Sequence, residues 1–423
     1  MMGSYNGARC GMGLKYWLTS VGLSDLLLLI ALTFSLFDYG TVWSGLSGGQ
    51  LIALRLVLSL ICILPLPFFI LSHELSKLEI VVLAYSSLLI IQGIFAQNPG
   101  NAVLQGAIVL TAFFIPLRFV DKYGVRPLLA FLFWVFLLVT MIMDIFAIKT
   151  GGRGVLTQES VYVWSSNYLF GSKFMFSYIN MLFFGLFIYR FSFLPAVVPM
   201  AAFCIYCCSL AACSTGVVGL LLMLLIYICF RTVKVFIANK WAVAVCIVVM
   251  AFISIAAAGL MQLPAVQAFA VGVLGESSDF SGRLEIYPHL LKLWLGSPVI
   301  GFGSSNDANS IMLSSIGAPN TQEGFFQILF ANGLVGGILF LAICIFATSE
   351  SSNLSKRDSG IYAFVLAMAI CSLVEINLTA LLFLGLSLVN VMSRKGEQGF
   401  PTLEAPLPSG CDGLLQKEIT DVY

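Results

Sequence analysis

The sequence is poor in charged residues and in the motifs of soluble enzymes. Only 10% of its 423 residues are charged, whereas soluble domains average about 25%. Its 21 basic and 20 acidic residues nearly cancel, and no dense basic patch of the kind that nucleic-acid binding needs is present. It has no Walker loop, dinucleotide-binding fingerprint or nucleophile elbow. Nucleic acid is therefore excluded as a partner, and the energy for any reaction must come from the substrate.

Histidine is scarce, and the cysteines do not form a metal-binding pattern. The two histidines, His73 and His289, are far apart in the sequence. Most of the 11 cysteines lie in or beside apolar runs without neighbouring His or carboxylate clusters. We expect them to be small buried hydrophobic residues, and we expect no metal or cofactor.

Long apolar runs dominate the chain, which is 60% hydrophobic with a mean hydropathy of +1.00. Because a membrane-crossing helix needs about 20 mostly apolar residues, the sequence predicts one all-α, polytopic membrane domain over residues 1–423, with about twelve transmembrane helices. The predicted spans are 18–38, 51–71, 78–96, 102–120, 127–148, 174–190, 194–213, 216–231, 241–261, 324–347, 360–376 and 378–392. Glu375 and Asn377 interrupt the last apolar run, which one tilted helix would also explain.

The basic residues predict the orientation, because Lys and Arg in short loops collect on the cytoplasmic side. Most of them share one side if the N-terminus is cytoplasmic, and an even number of spans then places the C-terminus there too. Residues 149–173 and 262–323 become two long periplasmic loops. Residues 396–423 are expected to form a disordered cytoplasmic tail.

The second long loop contains a short helical pattern at residues 281–296. Leu284, Leu291 and Leu295 fall near one helical face, with Pro288 inside the segment. This pattern predicts an amphipathic helix on the membrane surface. A loop segment packed on the bundle would explain so short a pattern equally well.

Six basic residues fall on the outward side, against the usual rule. They are Arg55, Lys149, Arg153, Lys173, Arg283 and Lys292. Arginine and lysine suit phosphate oxygens, so a lipid pyrophosphate at the outer leaflet would satisfy this set. Alternatively, Arg55 snorkels to the interface, and the loop arginines pair with nearby carboxylates such as Glu159.

Group transfer to a hydroxyl requires a base or a nucleophile, so outward carboxylates are candidate catalytic groups. Glu323 precedes the tenth span, where partial burial would raise its pKa toward working pH, and it is the preferred base. Alternatively, it only caps that helix, together with Asn320 or Thr321. Weaker candidates are Asp144, Glu375, Asp38 and Glu159.

Four stretches carry recognisable motifs. SGRLEIYPHLLKLWLGSPVIGFG at 281–303 combines an arginine with a P-l-x-G-x-G turn, and GFFQILFANGLVGGILF at 324–340 contains an L-x-x-x-G-L-x-G signature. YLFGSKFMFSY at 168–178 is similar to an f-G-x-K-N start of the sixth span, and CSTGVVGL at 213–220 to an S-x-T helix start. Together they resemble bacterial O-antigen and capsular polysaccharide polymerases (Wzy-type) and their O-antigen ligase relatives.

The resemblance implies metal-independent transfer from an undecaprenyl-pyrophosphate oligosaccharide at the outer face of the bacterial inner membrane. It implies that arginines of the large loops hold the substrates, which maps onto Arg153 and Arg283. The histidine that ligases and many polymerases carry before the tenth span is replaced by Gln322 and Glu323. The predicted catalytic residues are Arg283, Glu323 and Arg153, and the predicted substrate-binding residues are Arg55, Lys173, Lys292, His289 and Gln322.

The leading hypothesis is a polymerase that joins lipid-linked repeat units into O-antigen, capsular or exopolysaccharide. The missing histidine disfavours a ligase, which would transfer the glycan to a lipid A core. A transporter or flippase would also have about twelve spans, with broken helices and midplane charges as its signs. Membrane lipid, a chain-length regulator and a separate flippase are the partners that this hypothesis raises.

Overall fold

The computed structural model describes residues 21–37, 48–95, 99–160, 163–260, 283–303, 305–318 and 320–394, and it is a helical bundle. The helices are α1 (Leu23–Leu36), α2 (Gly48–Ile63), α3 (Leu66–Ser72), α4 (Lys77–Ile94), α5 (Pro99–Tyr123), α6 (Val125–Lys149), α7 (Lys173–Arg190), α8 (Leu194–Leu210), α9 (Ser214–Ile237), α10 (Ala242–Leu260), α11 (Arg283–Trp294), α12 (Ser305–Ile316), α13 (Gly324–Ala347), α14 (Ser359–Cys371) and α15 (Ala380–Ser393). The strands are β1 (Val155–Ser160), β2 (Val163–Tyr168) and β3 (Gly171–Ser172).

The chain is an all-α polytopic membrane protein, and each predicted span coincides with helix. Helices α2 and α3 together occupy the second span, interrupted at Leu64 and Pro65. Within the described residues, six helices are long and apolar enough to cross a membrane, and others are shorter apolar helices. Because residues 372–379 are not helical, α14 and α15 are separate helices, and the alternative of one tilted helix is wrong.

Helices α14 and α15 lie at the centre of the bundle. Nearly all residues of both are buried, which fits helices that are apolar on every side. Helix α14 packs on α7, α9 and α10, and α15 packs on α5. A Cβ placed at Gly360 would lie 2.5 Å from the carbonyl oxygen of Gly185, so small residues allow α14 to approach α7 closely.

The bundle end that the sequence assigns to the cytoplasm carries ion pairs. Asp25 at the start of α1 accepts from Lys122 at 2.7 Å and from Arg118 at 3.4 Å, both near the end of α5. His73 and Glu79 pair at 2.9 Å beside the start of α4. These contacts join helix ends that the topology places on one side.

The first long loop folds into a three-stranded antiparallel sheet, a feature that the all-α prediction did not contain. The turn before it is fixed by Gly152, which has φ +78° and lies so close to α8 that a Cβ would be 1.7 Å from the carbonyl oxygen of Leu210. The buried hydroxyl of Tyr168 donates to the carbonyl oxygen of Gly152 at 2.8 Å. The sheet is therefore anchored to the bundle.

The second long loop contains the predicted helix, which packs on the bundle through one face. Helix α11 buries Ile286, Tyr287 and Leu290 and packs on α10 and α13. Leu291 and Leu295 are 46% and 61% exposed, so they lie off the face that packs on the bundle. Contact of these leucines with the membrane surface stays a prediction.

Helix α13 is broken at Gly333, whose φ of 64° and ψ of −168° are not helical. A break in a helix leaves backbone donors and acceptors without their usual partners. Residues 297–303, which we call the clasp, supply replacements. The backbone N–H groups of Phe302 and Gly303 donate to the carbonyl oxygens of Phe330 and Ala331, each at 2.9 Å. In the other direction, the backbone N–H groups of Leu334 and Val335 donate to the carbonyl oxygens of Pro298 at 2.8 Å and Val299 at 3.1 Å.

The clasp has further supports. The Ser297 hydroxyl donates to the carbonyl oxygen of Gly301 at 2.6 Å, and the Gln92 side chain at the end of α4 donates to that of Ile300 at 2.6 Å. The rings of Phe302 and Phe330 lie 4.8 Å apart. Two sequence motifs, the P-l-x-G-x-G turn and the L-x-x-x-G-L-x-G helix, thus form one backbone unit.

Candidate active site

Glu323 is held at the N-cap of α13 by the residues just before it. Gln322 has φ 55°, and its backbone N–H donates to Oδ1 of Asn320 at 3.0 Å. The Thr321 hydroxyl donates to the carbonyl oxygen of Glu323 at 2.8 Å. One carboxylate oxygen of Glu323, Oε2, accepts from the backbone N–H of Phe326, which confirms the capping contact.

Capping uses only one side of this carboxyl group. Glu323 is fully buried, and its Oε1 has no hydrogen-bond partner in the part of the chain that the structure describes. Burial raises the pKa of Glu323 to about 8, against the lowering effect of the backbone N–H groups of Phe326 and Phe325. The predicted rise in the pKa of Glu323 is therefore confirmed, and this pKa is near that of an effective general base at neutral pH.

Helix α11 packs directly beside this residue. The hydroxyl of Tyr287 donates to the carbonyl oxygen of Leu373 at 3.0 Å and contacts that of Gln322 at 3.5 Å. Arg283, the first residue of α11, precedes Tyr287 by four residues, or about one helical turn. The structure describes the backbone of Arg283 but not its side chain.

The turn between α14 and α15 closes the other side. The backbone N–H of Gly324 donates to the carbonyl oxygen of Ser372 at 2.9 Å. A Cβ at Gly324 would lie 2.9 Å from both Ser372 and Leu378 and 3.2 Å from the carbonyl oxygen of Glu375. Glu375, a predicted alternative base, is buried in this turn and thus belongs to the same region.

A cavity of about 470 Å³ lies beside the start of α13. Its wall includes Gly324, the residue after Glu323, and Met175 near the start of α7. Leu36, the last residue of α1, and Ile52 near the start of α2 also line it. All four come from helix ends that the sequence assigns to the outward side, so the cavity lies at one end of the bundle.

Arg55 lines this cavity, and its substrate-binding role stays a prediction. It is half-buried in α2, and its Nε donates to the carbonyl oxygen of Ser35 in α1 at 3.3 Å. Among the cavity-lining residues that the structure describes, Arg55 is the one with a charged side chain.

Lys173 and Arg153 lie around the turn between α8 and α9. The Nζ of half-buried Lys173 contacts the carbonyl oxygen of Ala212 at 3.5 Å, and Lys173 precedes cavity-lining Met175 by two residues. Arg153 is exposed, in the turn that Gly152 fixes against α8. Lys173 is therefore close in sequence to the cavity wall, whereas Arg153 is at the surface.

His289 and Lys292 are not brought to Glu323. Both are exposed on α11, away from the face through which Tyr287 packs on the bundle. They belong to the outer surface of the second long loop, and their substrate-binding roles stay predictions. Gln322, by contrast, directly precedes Glu323, and its side-chain nitrogen donates to Asn320 at 2.7 Å.

The remaining carboxylates have other surroundings. Asp144 is buried in α6 and accepts from Nδ2 of Asn180 at 3.2 Å. It is not among the residues that line the cavity. Asp38 and the side chain of Glu159 lie outside the described structure, as does the predicted tail at 396–423.

No group of three or more His, Cys, Asp or Glu residues in the described ranges is arranged to hold a metal. The described cysteines are free thiols, all buried or half-buried, as their apolar contexts predict.

Three cavity residues, Gln105, Gln327 and Asn332, were missed by the sequence analysis. All three are carboxamides inside apolar spans, Gln105 in α5 and the other two in α13. A search of the spans for uncharged polar residues, rather than for charges alone, would have found them.

Comparison with known protein families gives a match over part of the chain. The O-antigen ligase family model, Wzy_C, matches residues 196–341. Over this segment the match supports the O-antigen ligase/polymerase superfamily. The matched segment runs from the start of α8 into the second half of α13, so it includes Arg283, Glu323, the clasp and the break at Gly333.

The matched family is a glycosyltransferase-like class of enzymes of the O-antigen ligase or polymerase type, and it acts on lipid-linked glycans. No curated protein and no solved structure matches the chain significantly. Arg55, Arg153 and Lys173 precede the matched segment.

Proposed function

We propose that this protein is a polysaccharide polymerase that joins undecaprenyl-pyrophosphate-linked repeat units at the outer face of the bacterial inner membrane. The observation that carries the proposal is the buried Glu323, with one carboxylate oxygen unpartnered in the described structure, next to the wall of a cavity that contains Arg55. We also propose that the protein lies in the inner membrane, with both termini and the basic helix ends in the cytoplasm.

In the proposed reaction, a hydroxyl of one lipid-linked repeat attacks the anomeric carbon of the sugar that links another chain to its lipid pyrophosphate. The new glycosidic bond forms as the anomeric carbon–phosphate oxygen bond breaks. The hydroxyl proton passes to ionised Glu323, and undecaprenyl pyrophosphate leaves with the electron pair. Arg283 and Arg153 hold the departing pyrophosphate, and no metal is required.

A polymerase is favoured over a ligase by the residues before α13. The resemblance places a histidine there in ligases, whereas this chain has Gln322 and Glu323. A carboxylate with a raised pKa can take over the base role. A ligase for a lipid A core is therefore the second candidate, and the acceptor distinguishes the two.

The broken helix α13 is a feature that transporters also show. In transporters, the unwound backbone groups bind substrate or ions. Here the clasp occupies carbonyl oxygens of Phe330 and Ala331 and N–H groups of Leu334 and Val335. The break is thus filled by the protein itself, which supports a structural role and disfavours transport.

Replacing Arg283 with Ala in cells tests the proposal. We expect the gel ladder of long surface polysaccharide to collapse to single repeat units, because Arg283 stabilises the leaving pyrophosphate. Lys292→Ala, an exposed cation on the same helix, is the comparison variant, with a smaller effect expected. An unchanged ladder in Arg283→Ala, with normal amounts of protein, would remove the proposed role of Arg283.

A further inference from the structure

The cavity contains uncharged polar groups that the proposed transfer does not use. Gln105 of α5, Tyr85 of α4, Asn332 of α13 and Thr379 before α15 line it together with Arg55. The Gln105 side chain is half-buried, and the Thr379 hydroxyl is buried without a partner among the described residues. These groups come from four different elements and face one space.

Asn332 owes its place to the break in α13. It directly precedes Gly333, where the helix stops, and the clasp fixes the backbone on both sides of the break. A Cβ at Gly336 would lie 2.2 Å from Cβ of Asn332, so Gly336 provides the room for this side chain. Asn332 is buried, and it lines the cavity together with Tyr85. Two glycines of the signature therefore hold one carboxamide at the cavity wall.

The wall chemistry distinguishes among possible occupants. A hydrocarbon chain would leave buried carboxamide and hydroxyl groups without hydrogen bonds, which costs free energy for each group. A pyrophosphate calls for several cations, and Arg55 is the one charged residue among the lining residues described. Sugar hydroxyl and acetamido groups both donate and accept, and so match carboxamides. The volume of about 470 Å³ suits a small polar molecule.

We propose that this cavity is a sugar subsite, in which Gln105 and Asn332 bind a sugar residue of the lipid-linked glycan. The inference rests on the proposed function, since it assumes a lipid-linked glycan as substrate. Arg55 lies at the subsite beside the backbone of Ser35. The subsite would select among repeat units, because a site built to bind a hydroxyl group rejects analogues that lack it.

Binding to two probes tests the subsite. One probe is the lipid-linked repeat unit extracted from cells that lack this chain, and the other is undecaprenyl pyrophosphate without sugar. In purified protein, Asn332→Ala and Gln105→Ala should each weaken binding of the repeat unit about tenfold, or about 1.4 kcal/mol, and leave binding of the bare lipid unchanged. Asn353→Ala, exposed at the opposite end of the bundle, is the control.

Other outcomes overturn the inference. If the variants bind both probes equally more weakly, the cavity binds the lipid or its pyrophosphate. If neither variant weakens binding of the repeat unit, the sugar does not bind in the cavity. Half-exposed Gln105 keeps the test valid if Asn332→Ala fails to fold. If wild-type protein neither binds nor polymerises the repeat unit, the proposed function itself fails. If it polymerises and both variants bind normally, only the subsite fails.

Discussion

Gly301 and Gly333 pack backbone against backbone. A Cβ built on Gly301 would lie 2.5 Å from the amide nitrogen of Gly333, and a Cβ built on Gly333 would lie 2.5 Å from that of Gly301. Both residues also have positive φ, 72° and 64°. This mutual contact joins the second long loop to the broken helix and fixes the wall on which Asn332 lies.

Alanine at either glycine should therefore disrupt the site. For Gly301→Ala and Gly333→Ala, we expect a lower melting temperature in detergent and loss of long polysaccharide, because backbone strain of about 1–3 kcal/mol adds to a clash that neither backbone can avoid. Gly317→Ala is the matched control, since Gly317 has φ 72° but nothing within 4 Å of its Cβ position. Equal effects at Gly317 and Gly301 would attribute the loss to backbone conformation alone.

The turn before the first sheet offers a second matched pair. Gly152→Ala should lower the melting temperature and weaken the anchoring of the first long loop, because its Cβ would collide with the carbonyl oxygen of Leu210. Gly151→Ala, at φ 60° in open space, should have the smaller effect. Limited proteolysis between residues 153 and 172 is the measurement. Equal cleavage of both variants would contradict the anchoring role of Gly152.

The buried carboxyl of Glu323 predicts a dependence of stability on pH. Its pKa is about 8 when folded, against a usual value of 4.5, so the folded state binds more protons between these values. Stability from this group is fully present below pH 4.5 and is lost as the pH rises through about 8. Thermal unfolding of the wild type should show this loss, whereas Glu323→Gln should lack it. Parallel pH profiles for both would contradict burial of an ionisable group at this position.

Orientation can be tested by cysteine labelling in spheroplasts. Lys292→Cys, exposed on α11, should react with a membrane-impermeant maleimide from outside, because the second long loop is proposed to be periplasmic. Asn353→Cys, exposed after α13, should react only after permeabilisation. The parent chain measures background from the native thiols, which are buried or half-buried in the described structure. The reverse pattern would invert the topology.

The sequence predicted the helices well because apolar length is a local property. Each span coincides with helix, and even the start of α13 beside Glu323 was located. The face through which α11 packs on the bundle was not predicted, since the packing partner decides which residues are buried, and here Tyr287 bonds to the turn at Leu373. Long-range contacts of this kind leave no periodic signal.

The site was predicted only in part, because contacts between distant segments of the chain form much of it. Glu323 and Arg55 stood out as ionisable residues at helix ends, and both lie at or beside the cavity. The clasp was recognised only as a motif, because nothing in the local sequence shows that residues 297–303 would bond to the helix break at Gly333. Asn332 and Gln105 were missed because the candidate residues were chosen by charge, which carboxamides lack.

The most direct test of the central claim is polymerisation by the purified protein. Wild-type protein in liposomes, given only the lipid-linked repeat unit in the presence of EDTA, should release undecaprenyl pyrophosphate and form a ladder of long chains. Glu323→Gln should lose the ladder while still binding the repeat unit. Transfer that occurs only after a lipid A core is added, or a full ladder from Glu323→Gln, would contradict the account.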